Sequence, residues 1–548
     1  MKKLLLCTVF AVLPAVAFAA PPMDPARLAK DVQTLSSDAF EGRGPATAGE
    51  VKTVEYISAQ MKAAGLEPGG DLKDGKRAWT QDVPLAKSDI VGTPSLSLTI
   101  GGLAKPLRQG EDVAIRANMR GESRVSVKDA PVVFVGYGVT APEKNWDDFK
   151  GMDLKGKIAL VLVNDPDFET GQGDFGGKAM TYYGRWTYKY EEAARQGAVG
   201  FIVIHETAPA SYGWATVKNS NTNTMFDVVR KNPGEAHAPV EGWIQRDLTV
   251  DLFKQAGLDF EALKKQAQTR DFKPVVLNGV TFSADYDVKQ ETIISKNVVG
   301  KLTGKTRPDE TVIYSGHWDH LGVGLPDAKG DTIYNGAIDN ATGIAALIEL
   351  GRAYAKAPRT ARSVVFMAVT AEEKGLLGSE YYASNPLYPL AKTAGVINMD
   401  SISPQGPAKD FTISGSAEFG LLNDLIAEGV KHNRTFIRDP NQQSGGFYRS
   451  DHFPFAKRGV PALSFGSGRD MVEGGREASK AWGETYGRER YHQQADEFEA
   501  SWPFTGMVAD LSLLYDTGRA LADSDRWPEW ADGQEFKAAR DASKSERK

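Results

Sequence analysis

Within residues 312–400, short β-branched runs alternate with one helical repeat, and acidic or imidazole side chains stand at the end of each run. Residues 312–314, 363–369 and 394–399 read as buried strands bounded by polar or Gly-rich residues. Residues 340–356 place Ile344, Leu347, Ile348, Leu350 and Ala353 at helical spacing. Strand, helix and strand in this order predict an α/β fold, in which a ligand crevice lies beyond the carboxyl ends of the strands. His317, Glu372, Glu373 and Asp400 all fall at such ends.

A histidine among carboxylates suits a divalent metal, with zinc the leading candidate. A catalytic zinc takes three protein ligands and leaves a position open. A pair of ions about 3.5–4 Å apart needs ligands on both sides and a carboxylate between them. His317, Asp339, Glu373 and Asp400 are one ligand short of a balanced pair, and the remaining downstream histidines are His432, His452 and His492.

His-x-Asp at 317, Gly-Ala-x-Asp-Asn-x-x-Gly at 336, Ala-Glu-Glu-x-Gly-x-x-Gly-Ser at 371, Asn-x-Asp at 398 and Tyr-His at 491 occur in one order over residues 311–496. Together they resemble the co-catalytic di-zinc peptidases, the family of bacterial leucine aminopeptidases and glutamate carboxypeptidase. The resemblance implies a zinc-peptidase domain with a central mixed β-sheet flanked by helices, and two zinc ions per chain. Asp339 would bridge the ions, His317 and Asp400 would hold one, and Glu373 and His492 the other. Glu372 would be the general base. Asp319, two residues after His317, would orient the imidazole. The segment 448–455 resembles a further family motif, which implies that Asp451 and His452 support the site and that Tyr448 faces the substrate oxygen. The resemblance also implies a cis peptide after Asp339.

Residues 1–19 have the plan of a secretory signal: Lys2 and Lys3, an apolar stretch, then Ala17-Phe18-Ala19. The apolar run is shorter than the roughly 18–20 residues of a membrane span. The sole cysteine, Cys7, would leave with the signal, so no disulfide is expected. Losing Lys2 and Lys3 takes the formal net charge from −6 to −8, which gives no support for nucleic-acid binding. An exported product without a membrane anchor, periplasmic or extracellular and acting on peptides, is expected.

The length accommodates more than one domain. Residues 20–87, with a helical pattern over 48–64, are read as the leading part of the peptidase domain, and as packing rather than chemistry. In residues 88–287 short strands alternate with Gly- and Asp-rich turns. The stretch 133–138, followed by Asp153-Leu154-Lys155-Gly156-Lys157, resembles a protease-associated domain, which implies a β-rich insert beside the crevice. Here His205 reads as structural and His237 as a loop residue without a role. Residues 288–525 form the catalytic domain, with a long Gly-rich loop expected over 466–490. Residues 526–548 are expected to be a charged, frayed tail.

Two further relatives share this architecture. A receptor-like binding protein would lack the metal ligands, and a glutaminyl cyclase uses one zinc; the full ligand set and the insert argue against both. Among peptidases, aminopeptidase action is favoured. Carboxypeptidase action needs cations to grip a substrate carboxylate, and the sequence does not place Arg449 or Arg469 in the pocket.

Overall fold

The computed structural model describes residues 22–324 and 326–547; the expected signal, with Cys7, lies outside the described residues. Helices α1 (Pro25–Leu35) and α2 (Ala48–Ala63) begin at side-chain caps, where Asp24 accepts from the Ala26 amide and Thr47 from the Gly49 amide. Strand β1 (Thr80–Ile100) leads into the insert, which supplies β2 (Arg124–Phe134), β3 (Ile158–Leu162), helix α3 (Trp186–Arg195), β4 (Gly200–His205) and β5 (Val240–Gln245). The chain returns along β6 (Val275–Leu302). It continues through β7 (Arg307–His317), α4 (Gly343–Lys356), β8 (Arg362–Val369), β9 (Thr393–Met399), β10 (Ala462–Gly466), α5 (Gly475–Glu489) and α6 (Thr505–Asp523).

One mixed sheet runs through both parts. Strands β10, β9, β7 and β8 lie parallel in that spatial order, and β8 then pairs antiparallel with β6. On its far side β6 pairs antiparallel with β1 and β2, and β2, β3, β4 and β5 form a second parallel block. Strands β8 and β9 are buried along their whole length, as expected of parallel strands covered on both faces. Helix α4 covers one face with Ile344, Leu347, Ile348 and Leu350, each at most 1% exposed. Helices α1, α2 and α6 pack against α4, so the N-terminal segment belongs to the peptidase core. The insert has its own cores on the two faces of its block, with α3 on one of them.

The long β1–β6 ladder joins the two parts. Ser88 pairs with Gln290 and Val91 with Asp287, so the boundaries expected at 88 and 287 lie nearly opposite each other on one ladder.

Two expectations are corrected. The segment 466–490 is not a structureless loop: residues 475–489 form α5, although none of its residues is buried. Gly475, Gly483 and Gly487 interrupt its pattern, and without a buried face it has no apolar period to read. Residues 526–547 are not the frayed tail expected of 526–548. Trp530 is 2% exposed and packs on Phe419 and Phe536, and the buried Arg540 donates to the Thr393 carbonyl. Trp530 and Phe536, separated by charged residues, leave no helical or strand period, which is why the segment reads as solvated.

Candidate metal centre

β7, β8 and β9 deliver His317, the Glu372-Glu373 turn and Asp400 to one edge of the sheet. The loop before α4 brings Asp339 up beneath them. Gly336 makes that loop possible: its φ is +55°, and a Cβ there would stand 2.2 Å from the Asp339 carbonyl oxygen and 2.6 Å from the His320 ring. The Asp339–Asn340 peptide is cis. Asn340 ties the loop to both neighbouring strands, donating to the His317 and Met399 carbonyls and accepting from the Gly343 and Ser401 amides.

His317 Nε2 stands 3.3 Å from Asp339 Oδ1 and 3.3 Å from Asp400 Oδ1. His492 Nε2 stands 3.3 Å from Asp339 Oδ2 and 3.1 Å from Glu373 Oε2. Two donor atoms each about 2.1 Å from one tetrahedral ion sit roughly 3.4 Å apart. Both sets of separations match the edges of such a shell, and the two oxygens of Asp339 face His317 and His492 separately. The charge balance agrees. Burial, with Asp400 and Glu373 nearby, pushes the Glu372 carboxyl well above the usual carboxylate range against the pull of His317. A buried group this rich in carboxylates calls for cations. The residues fit a divalent metal: His317, Asp339 and Asp400 form one candidate ligand group, and Asp339 and Glu373 with His320 form another, with His492 beside Asp339 and Glu373.

The neighbours orient these donors. His317 Nδ1 lies 3.2 Å from the Asp319 carbonyl oxygen; donating its proton there leaves the Nε2 lone pair free for an ion. This corrects the expected role of Asp319: its carboxylate is 3.9 Å from that nitrogen and instead accepts from the Glu372 and Glu373 amides. Two consecutive amides converging at the strand end are the nearer donors. Asp451 accepts from Ser379 at 2.6 Å, so it braces the turn after Glu373 rather than a ligand. His452 is fully buried, both ring nitrogens lack partners, and burial pushes its pKa down to about 3. It packs edge-on against Phe447 at 4.8 Å. Tyr448 lines the crevice, with its hydroxyl 3.3 Å from Glu535 Oε2.

Four supporting residues went unassigned in the sequence. His320 Nδ1 lies 2.6 Å from Glu373 Oε1, the carboxylate oxygen other than the one that faces His492. Asp496 accepts from the Ile338 and Asp339 amides. Arg43 donates to the carbonyls of Leu35, Trp318, Asn335 and Gly336, so the leading segment pins the loop that carries Asp339. Tyr491 stacks on His492 at 4.0 Å. Proximity to ligand motifs signalled His320 and Tyr491; nothing local signalled Arg43.

The cluster forms the floor of a crevice of about 640 Å³, lined by Asp339, Glu372, Glu373, Asp400 and His492 and walled by residues of the insert. The Glu372 side chain makes no hydrogen bond among the described residues and opens into this space. Arg449 also lines the crevice, and Arg469 does not.

Comparison with known proteins agrees with this organisation. Residues 297–515 match Peptidase family M28 and residues 127–241 match the PA domain. The chain carries a family M28 peptidase domain and a PA domain. A glutamate carboxypeptidase 2 homolog of Caenorhabditis elegans is 25% identical over 394 residues, covering 62% of this chain and 46% of that protein. Leupeptin-inactivating enzyme 1 of Streptomyces exfoliatus is 31% identical over 176 residues, covering 30% and 38%. The chain thus matches less than half the length of these curated relatives. The solved aminopeptidase from Aneurinibacillus sp. strain AM-1 superposes with a TM-score of 0.52 at 19% identity, covering 91% of this chain and 94% of that one, which shows a shared fold. No helix among the described residues is long and apolar enough to cross a membrane.

Proposed function

We propose that this protein is an exported zinc-dependent exopeptidase, an aminopeptidase that removes N-terminal residues from peptides with two zinc ions per chain. The observation that carries the reading is Asp339, whose two oxygens face His317 and His492 separately, beside an uncoordinated Glu372. Zinc at these positions supplies Lewis acidity toward a scissile carbonyl and a water of lowered pKa. Glu372 faces the crevice from the same turn as Glu373, where it accepts a proton from the attacking water and returns it to the leaving amine. Its free carboxylate also offers a counter-charge to a substrate ammonium. His320 and the Asp319 carbonyl hold Glu373 and His317 in ligating orientation, and the PA wall limits the crevice to short chains or free termini. The names of the relatives, a leupeptin-inactivating enzyme and an aminopeptidase, support this class. The carboxypeptidase alternative is kept by the Caenorhabditis elegans relative.

The test compares an unblocked peptide with its N-acetylated form, following products by mass. Release of the first residue from the unblocked peptide only is expected. Equal cleavage of both, or cuts in mid-chain, overturns the aminopeptidase assignment. Loss of the C-terminal residue moves it to carboxypeptidase.

A further inference from the structure

Arg43 is fully buried, and its five N–H groups all point to carbonyl oxygens. Nε donates to Trp318, Nη1 to Leu35 and Asn335, and Nη2 to Gly336 and, at 3.5 Å, to Asp339. Burial lowers its pKa to about 10 against the pull of Asp496, Asp339, Asp319 and Glu373, so it is a cation at neutral pH. These carboxylates act on it through space, and two of them belong to the candidate metal ligands. A buried charge is unfavourable unless its surroundings are arranged to receive it.

The backbone that delivers Arg43 is constrained in the same way. Glu41, Gly42, Arg43 and Ala46 all take left-handed φ values, between +50° and +61°. A Cβ at Gly42 would stand 2.5 Å from the Gly322 and Tyr334 carbonyl oxygens. Non-glycine residues held left-handed persist where their surroundings over-determine them, and they gather at functional sites. The loop that carries Asp339 meets opposite charges on its two polar sides. Its carbonyls at Asn335, Gly336 and Asp339 face Arg43, while the Ile338 and Asp339 amides face the Asp496 carboxylate. The protein makes both clamps without an ion. Neither uses a carboxylate oxygen of Asp339, and both of those stay turned toward His317 and His492.

We infer that Arg43 is a positioning residue for the metal centre: it holds the loop of residues 335–340 in its ligating shape before any ion binds, and it supplies a fixed positive charge among the carboxylates. The leading segment contributes no ligand of its own, yet it sets the metal affinity of the site. The inference rests on the metal reading above.

The test uses the full chain and measures zinc dissociation constants by competition with a chelator of known affinity. Arg43→Gln removes the charge and most of the donors, and is expected to weaken zinc binding by roughly 10–100-fold, the usual effect of losing a group that orients ligands. Arg43→Lys keeps the charge but offers three donors in place of a planar fork, and should fall between that variant and the wild type. With cobalt(II) in place of zinc, both variants should show an altered absorption band, because Asp339 no longer meets the ions at the same angle. A merely structural arginine would lower the Tm of the zinc-free variants and leave the zinc affinity and cobalt spectrum of the folded protein unchanged; that outcome overturns the inference. Should neither variant fold, hydrogen exchange in the wild type decides. Amides at 337–342 as protected in the zinc-free protein as in the loaded one are the expected result. Protection that vanishes with the zinc would show that the ions shape the loop, and would overturn it. Wild-type protein that binds no zinc removes the metal reading itself, whereas zinc held equally by the wild type and both variants removes only the role of Arg43.

Discussion

Glu372 and Glu373 are adjacent in the chain and differ in their surroundings. Glu373 is held between His492 and His320, whereas the Glu372 side chain makes no hydrogen bond among the described residues and faces the crevice. Glu372→Gln should keep its metal and lose roughly 10²–10⁴-fold in kcat, the usual share of a general base. Glu373→Ala and His492→Ala should lose metal as well, because each removes a donor from a three-ligand shell. Metal analysis beside kcat for the three variants checks this; a wild-type rate in the Gln variant removes Glu372 from the base role. Arg43 shows how far a residue's task can lie from its motif. It sits almost three hundred positions before the loop it holds, and its loss would strip donors from four buried carbonyls at once.

At the scale of elements, the wall of the insert is braced by a buried ionic group that the sequence shows only as a loop histidine. His237 lies 3.0 Å from Asp227 and 3.2 Å from Glu241, with Arg230 on Asp227. Burial alone would lower its pKa, but the two carboxylates outweigh burial and raise it to about 9. A histidine raised above its unfolded value of about 6.5 stabilises the fold fully below that value and ceases to do so as the pH passes through about 9. The contribution is on the order of 3 kcal/mol. Urea unfolding of the wild type and of His237→Gln should therefore differ most at pH 6.5 and converge as the pH rises toward 9.5. Parallel curves across that range would show that His237 is not protonated in the folded insert.

At the scale of the molecule, the β1–β6 ladder makes the insert continuous with the catalytic sheet, so the crevice wall and its floor are positioned by the same two strands. The floor concentrates buried carboxylates that repel one another without cations. Exhaustive chelation should abolish turnover and release about two zincs per chain. It should also lower Tm by several degrees, since a ligand at about a hundredfold its Kd adds ~2.7 kcal/mol to the folded state. Full activity after chelation, or an unchanged Tm with no metal released, would contradict the two-ion reading.

Much of this molecule follows from local pattern. The strands ending at His317, Val369 and Met399 and the helix before Lys356 have periods set by burial on both faces. A parallel sheet then has one edge at which their terminal side chains meet. The motif resemblance also singles out Asp339, Glu373, Asp400 and His492, which the fold brings into one cluster. Local pattern did not show α5, which buries no residue and so has no apolar period, or the packed end of the chain, where scattered Trp530 and Phe536 dock on a core built elsewhere. Nor did it show which atom of Asp319 meets His317, since the carboxylate and carbonyl of one residue are separated only by the fold. The arginines on the crevice wall belong to the same class. Arg185 and Arg449 lie far apart in sequence, and whether a guanidinium finds a carboxylate or faces an open crevice depends on what surrounds it, which tertiary packing alone decides.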